Sequence, residues 1–149
     1  MRVLAIDPGE KRIGLAISDP TGTLAKPHSI LKHSARETDA KNIALLAKNH
    51  TCDLILIGQA LDDQGRVGYR ARSAIRLGEA IRQCTPIPVL MWDESGTTRA
   101  AKRTQIESGM AKRKRQKALD DLAAAILLQD FLASDVFQTL TTESNHGKI

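Results

Sequence analysis

Several acidic residues occupy positions where carboxylates carry out chemistry in α/β proteins. Each group follows a predicted strand or opens the apolar part of a predicted helix: Asp7, Asp93 with Glu94, and Asp120 with Asp121. Ligands of an open α/β sheet bind beyond the carboxyl ends of its strands, so we expect these acids to share one end of the sheet. Like charges held together require a cation, and carboxylate oxygens suit Mg²⁺ or Mn²⁺. Two such ions about 4 Å apart are a standard device for displacement at a phosphodiester.

The basic residues are concentrated in one part of the chain. There are 22 Lys and Arg against 17 Asp and Glu, a net charge of +5, and the segment Arg99–Lys117 holds eight basic residues and one acid, Glu107. This concentration predicts a phosphate-backbone partner or an anionic surface. The candidate nucleic-acid contacts are Lys11, Arg12, Arg70, Arg99, Lys112, Arg113, Lys114 and Arg115. With one Trp, one Tyr and two Phe, recognition by base stacking is disfavoured.

Short apolar runs separated by turn signals predict the elements that position these residues. The first 31 residues contain three strands in an antiparallel meander, and Pro27 places the third at or near an edge. The pattern then alternates helix and strand: a helix over 35–49, a strand over 54–58, a helix over 71–82, a strand over 89–92, and helices within 97–133. This order predicts one α/β domain over residues 1–133, with a mixed five-stranded sheet whose later strands are parallel. The polar residues 134–149 are predicted to be a disordered tail.

The last long helix has a face suited to presenting an acid. From Asp120, the positions three, four and seven residues on are Ala123, Ala124 and Leu127. Because these positions share a helical face, Asp120 is expected to face inward, and the alanines allow a close approach to the sheet near Asp7. The neighbouring Asp121 points about 100° away, so it caps the helix or faces solvent.

Length and composition exclude other classes of protein. The chain has 149 residues, enough for one domain, and its longest strictly apolar run, Leu122–Leu128, is far shorter than the roughly 20 residues that span a bilayer. Its start has no signal-peptide pattern, so we expect a cytoplasmic protein without a membrane partner. Cys52 and Cys84 have no zinc-site spacing and are expected to be buried thiols.

Three motifs in order resemble one family. Residues 7–20 (DPGEKRIGLAISDP), 92–98 (WDESGTT) and 120–124 (DDLAA) are similar to the opening, W-D-E-x-x-T-T and D-x-x-A-A motifs of the YqgF family, also called RuvX-like. The resemblance extends from residue 3 to about residue 132, with departures at Gln59–Ala60 and Ser95–Gly96. It implies an RNase H-like fold and a nuclease that uses Mg²⁺ or Mn²⁺, with two ions in the site.

The resemblance also implies roles and partners. Asp7, Glu94 and Asp120 would be the catalytic, metal-binding acids. The implied task is processing of the 5′ end of precursor 16S ribosomal RNA, with a ribosomal precursor particle as a partner. The alternative is cleavage of branched DNA as in Holliday junction resolvases, which favours a homodimer over a monomer because two strands are cut symmetrically.

Other interpretations of the same residues remain open at this point. An Asp-Pro-Gly turn by itself explains Asp7, an N-cap explains Asp120, and a solvated charge run explains residues 112–115. An actin-like ATP-binding protein shares the first motif, but 149 residues do not supply its second lobe. A non-catalytic RNA-binding factor would use the same basic residues, and metal-dependent cleavage distinguishes it from a nuclease.

Overall fold

The computed structural model describes residues 1–59, 64, 66–93 and 112–146, with side chains described in the last range for 122–143. The strands are β1 (Val3–Pro8), β2 (Arg12–Ser18), β3 (Ala25–Lys32), β4 (Leu54–Gln59) and β5 (Val89–Asp93). The helices are α1 (Arg36–Asn49), α2 (Tyr69–Arg82), α3 (Lys112–Leu132) and α4 (Asp135–His146). Both predicted helices before β5 are confirmed, and residues 97–111 of the predicted helical region lie outside the described residues.

The strands form the predicted mixed sheet. Its order is β3-β2-β1-β4-β5, with antiparallel pairs among the first three strands and parallel pairs between β1 and β4 and between β4 and β5. Short turns require antiparallel neighbours, whereas the helical crossovers α1 and α2 return the chain for parallel pairing. Pro27 lies in the edge strand β3, as predicted, where a residue without an N–H is tolerated.

Two apolar cores cover the two faces of the sheet. Leu4 and Ile6 of β1 pack in the core that includes α1 and α2, whereas Val3 and Ala5 pack in the core that includes α3 and α4. Alternate residues of a strand point to opposite faces, which explains this division. All four of these β1 side chains are fully buried, as expected for a central strand covered on both sides.

The prediction of a disordered tail over residues 134–149 is wrong for Asp135–His146, which form α4. Ser134 caps this helix, because its hydroxyl oxygen accepts the N–H of Phe137 at 3.2 Å. Phe137 is buried, and its ring centroid lies 5.4 Å from that of Phe131 in α3. The polar residues that suggested disorder form the exposed face of a helix held by a few apolar contacts. Residues 147–149 lie outside the described part of the chain.

The two cysteines differ in exposure, so the prediction of two buried thiols is wrong for Cys84. Cys52 is buried and packs in the core with α1, whereas Cys84 is exposed just after α2 ends. Burial raises the pKa of the Cys52 thiol to about 11. Both thiols are free.

Across the described residues, no helix is long and apolar enough to cross a membrane.

The docking of α4 predicts a large effect of Phe137→Ala on stability. Removing a buried aromatic side chain costs about 3–5 kcal/mol in free energy of unfolding, through lost burial and the remaining cavity. Val136→Ala, at a neighbouring position that is 45% exposed, is the matched control and should cost less than about 1 kcal/mol. Urea unfolding of both variants measures the difference, and equal losses would contradict the docking of α4.

The thiol environments predict that Cys84 reacts fast with a disulfide reagent and that Cys52 reacts slowly. At pH 8, a thiol whose pKa is about 11 is ionised to only about one part in a thousand, and burial also restricts access. Cys84→Ser should therefore abolish the fast phase of labelling by a disulfide reagent, and Cys52→Ser should preserve it. Fast labelling of the Cys84→Ser protein would show that Cys52 is accessible.

Candidate functional site

Asp7 lies where the central strand β1 emerges from the core. Its Cα pairs with that of Gly14 in β2, so its backbone is fixed by the sheet. In the alternation along β1, Asp7 follows Val3 and Ala5, whose side chains pack in the core with α3 and α4. The side chain is partly buried. The strand therefore presents the Asp7 carboxylate at the sheet end, on the α3 side.

The ends of the other two parallel strands meet at the same sheet end. Ile6 pairs with Ile57, and farther along β4, Gln59 pairs with Asp93 at the end of β5. Two strand spacings separate β1 from β5, or about 10 Å. Asp93 is exposed. The predicted ligand Glu94 follows it in the chain and lies outside the described residues.

Helix α3 runs from the Asp7 end of the sheet toward the opposite end. Near its C-terminus, the Gln129 side chain accepts the N–H of Ala25 at 3.1 Å and donates to the carbonyl of Thr23 at 3.2 Å. Ala25 pairs with Ser18, at the sheet end away from Asp7. Nine residues of helix separate Gln129 from Asp120, about 13 Å of rise, close to the length of β1 from its start to Asp7. The backbone of Asp120 thus lies toward the Asp7 end, and its side chain lies outside the described residues.

Some of the predicted nucleic-acid contacts surround this sheet end. Lys11 and Arg12 are exposed in the turn after β1 and at the start of β2, and Arg70 is exposed in the first turn of α2. The backbone of residues 112–115 forms the start of α3, while their side chains and all of Arg99 lie outside the described residues. Arg70 therefore lies near the same turn after β1 as Lys11 and Arg12, although it is far from them in sequence.

One acid of the first motif does not belong to this site. Asp19 lies in the turn between β2 and β3, at the opposite sheet end. Its pKa is held well below the usual range, first by the Thr21 hydroxyl and then by the backbone N–H groups of Leu24 and Thr23. A carboxylate that accepts these hydrogen bonds shapes a turn. The first motif therefore contains both Asp7, a candidate site residue, and Asp19, which stabilises a turn of the fold.

The donor chemistry at Asp7 fits a divalent cation, since carboxylate oxygens are preferred ligands of Mg²⁺ and Mn²⁺. Of the three predicted ligands, Asp7 alone has a described side chain. No cluster of three His, Cys, Asp or Glu side chains suitable for a metal occurs within the described part of the chain. The three-acid set therefore stays a prediction.

The sequence patterns did not reveal a cavity of about 730 Å³ on the other face of the sheet, beside the turn after Asp7. His33, Arg36 and Asp39 contribute to its lining. The sequence contains only a weak signal for this cavity: Asp39 is the fourth residue of α1, and His33 lies three residues before α1 begins. Either residue alone is usually a solvated surface group.

Comparison with known proteins identifies the family. The family model described as "RuvX: Holliday junction resolvase" matches residues 1–134. The chain belongs to the RuvX family. Among its relatives named "Putative pre-16S rRNA nuclease", that of Caldanaerobacter subterraneus subsp. tengcongensis is 38% identical over 135 residues, covering 90% of this chain and 97% of the relative. That of Clostridium acetobutylicum is 35% identical over 134 residues, covering 90% and 99%.

Solved structures support the fold of this RuvX-family chain. Thermus thermophilus RuvC, in complex with a Holliday junction substrate, aligns with a TM-score of 0.53 at 16% identity, covering 89% of this chain and 94% of RuvC. The fowlpox virus Holliday junction resolvase aligns with a TM-score of 0.51 at 18% identity, covering 89% and 98%. The predicted RNase H-like fold is confirmed. The family description and the relatives' names all denote nucleases, so the predicted class, a phosphodiester hydrolase, is also confirmed.

The turn after Asp7 predicts that this RuvX-family chain does not tolerate Gly9→Ala. The Gly9 N–H donates to the Arg12 carbonyl at 2.9 Å, and an added Cβ would lie 2.6 Å from that oxygen. The backbone must shift to relieve this contact, at a cost of about 1–3 kcal/mol in free energy of unfolding. Chemical unfolding measures the cost, and the amide NMR shift of Asp7 reports the displacement.

Gly68→Ala is the matched control for this substitution. A Cβ on Gly68 meets nothing within 4 Å, so the cost should be no more than about 1 kcal/mol, the preference of an N-cap for Gly over Ala. If the two variants unfold alike, the turn after Asp7 is not constrained as described.

Proposed function

We propose that this chain is a divalent-metal-dependent endonuclease that processes the 5′ end of precursor 16S ribosomal RNA in the cytoplasm. The observation that carries the proposal is Asp7, held by the central strand on the α3 side of a sheet end in a RuvX-family fold. The curated relatives at 35% and 38% identity carry the name of a pre-16S rRNA nuclease, which supports RNA as the substrate.

Asp7, Glu94 and Asp120 are the proposed ligands of one or two Mg²⁺ or Mn²⁺ ions. When bound, the ions lower the pKa of an attacking water and stabilise the leaving oxygen. The backbone pairing of β1 with β2 fixes the position of Asp7 before an ion binds. The Asp120 backbone lies in α3 toward the Asp7 end, and the D-x-x-A-A motif is the basis for proposing Asp120 as a ligand. Glu94 is the next residue in the chain after β5 ends at Asp93.

The basic residues hold the nucleic-acid backbone next to the acids. Lys11, Arg12 and Arg70 contact phosphates around the Asp7 end, joined by Arg99 and by residues 112–115 at the start of α3. Phosphate contacts position a strand without reading its bases, in agreement with the scarcity of aromatic residues. Binding of this kind weakens steeply as salt concentration rises, because counterions are released on association.

A branch-cutting activity on DNA is the second candidate. The family description and the two aligned structures all carry the term Holliday junction, which is the observation in its favour. Symmetric cutting of two strands requires two active sites, so this function requires a homodimer. A mass measurement in solution, together with cleavage assays on both substrates, distinguishes the two functions. A monomer that cuts RNA alone supports the ribosomal role, with a ribosomal precursor particle as the proposed partner.

The proposed site predicts that Asp7→Asn abolishes cleavage and preserves binding. With Mg²⁺ or Mn²⁺, the wild-type protein should shorten an RNA carrying the 5′ extension of 16S rRNA. Loss of a direct metal ligand should lower that rate by at least about a hundredfold, since even indirect contacts to metal ligands contribute 10–100-fold. RNA affinity in EDTA should change by less than about threefold, because the basic residues are intact.

The control for this experiment is Asp135→Asn, which makes the same chemical change at the start of α4, in the exposed first turn. It should cut RNA at the wild-type rate. Equal cleavage by wild-type and Asp7→Asn proteins would show that Asp7 is not catalytic. Binding without any metal-dependent cleavage would support the non-catalytic RNA-binding factor instead.

A further inference from the structure

A second site for substrate chemistry opens on the face of the sheet opposite α3. The cavity has a volume of about 730 Å³ and lies between the turn after β1 and the first turns of α1 and α2. Its floor includes Ile13 and Leu77, which belong to the core with α1 and α2. The cavity is therefore separate from the α3 side, to which the alternation of β1 assigns the Asp7 side chain.

A buried carboxylate orients a histidine at the wall of this cavity. Asp39 is 2% exposed, and one of its carboxylate oxygens lies 2.5 Å from Nδ1 of His33. The other oxygen accepts the backbone N–H of Ser34 at 3.3 Å. With Nδ1 engaged, Nε2 is the ring nitrogen that His33 offers to a ligand. A histidine on a buried aspartate is held in one orientation, as are ligand-binding histidines generally.

Two arginines line the same cavity from different helices. Arg36 is the first residue of α1, and Arg70 is in the first turn of α2. Within the part of the chain that the structure describes, neither guanidinium has a hydrogen-bond or ion-pair partner. A guanidinium presents several N–H donors in a fork that matches the oxygens of a phosphate. The hydroxyl of Ser73 lines the same space as a further donor.

The backbone adds to this preference for an anion. The N-caps of α1 and α2, Ala35 and Gly68, make no side-chain capping hydrogen bond, and both helix starts border the cavity. Uncapped first-turn N–H groups carry a partial positive charge that favours a negative ligand. Glu10 at the cavity opposes an anion, since its carboxylate repels one. Removing the Glu10 charge should therefore strengthen anion binding, whereas removing an arginine charge should weaken it.

We propose that this cavity is a phosphate-binding subsite, in which Arg36, Arg70 and His33 hold the oxygens of one phosphate group. The phosphate comes from the substrate strand beside the cut, which rests on the proposed nuclease function, or from a free nucleotide. Gly9, which lines the cavity, is two residues from Asp7, so their Cα atoms are at most about 7 Å apart. A phosphate bound in this cavity therefore lies close to the proposed cleavage centre, on the other side of the sheet end at which β1 finishes.

The test measures phosphate binding in EDTA, where no cleavage occurs. The full chain is titrated with inorganic phosphate and with 5′-AMP, and the His33 ring resonances are followed by NMR. Arg36→Gln should weaken both affinities at least about tenfold, the effect of one charge-assisted hydrogen bond. Lys41→Gln removes the same charge from an exposed site on the same helix outside the cavity and should change affinity by less than about twofold. Glu10→Gln should strengthen binding.

A non-cleavable phosphorothioate RNA identifies the source of the phosphate. If it competes with inorganic phosphate at His33, the ligand belongs to the substrate strand; if 5′-AMP binds and the RNA does not compete, the ligand is a free nucleotide. Unchanged His33 resonances with all three probes, or equal losses in Arg36→Gln and Lys41→Gln, would overturn the subsite. Arg36-dependent binding in a protein that cuts no nucleic acid would overturn the nuclease proposal and leave the subsite standing.

Discussion

The burial of β1 on both faces is the constraint on which the rest of the structure depends. Residues 3–6 have no exposed surface, and the strand pairs with β2 on one side and with β4 on the other. Such a strand must be apolar until it leaves the core, so its first charged side chain, Asp7, marks the point of exit. Because β1 is paired on both sides up to Ile6 and Asp7 itself pairs with Gly14 of β2, the position of Asp7 is set before any ligand binds, as its proposed role as a metal ligand requires.

The same strand divides the chemistry between two faces. Alternation assigns Asp7 to the α3 side, while the following turn, through Gly9, borders the cavity beside α1 and α2. A nucleic-acid strand that passes around the end of the sheet can therefore be bound at the proposed subsite on one face and cleaved at the proposed metal site on the other. Arg36 and Arg70 line the cavity on the face opposite the Asp7 side chain, whereas Lys11 and Arg12 directly follow β1 at the same sheet end.

Local patterns predicted the parts of the fold that depend on local chemistry. Continuous apolar runs located β1 and β4, helical periodicity located α1 and α2, and the strand-end rule located Asp7. Helix α4 was missed because its stability comes from distant contacts of Phe137, including one with Gly22, where a Cβ would lie 2.6 Å from the Phe137 ring. The cavity was missed for the same reason: it joins three separate segments. The roles of Glu94 and Asp120 came from the family resemblance.

The buried side chains of α3 become larger from residue 123 toward the C-terminus of the helix. Residues 123–125 are buried alanines, and two of them, Ala124 and Ala125, share one core with Ala5 and Ala16 of the sheet. Farther along, Leu127, Leu128 and Phe131 fill the space with larger side chains. A helix packed through alanines approaches a sheet more closely than one packed through leucine and phenylalanine. The core beside α3 is therefore packed through small side chains toward the Asp7 end and through large ones toward the opposite end.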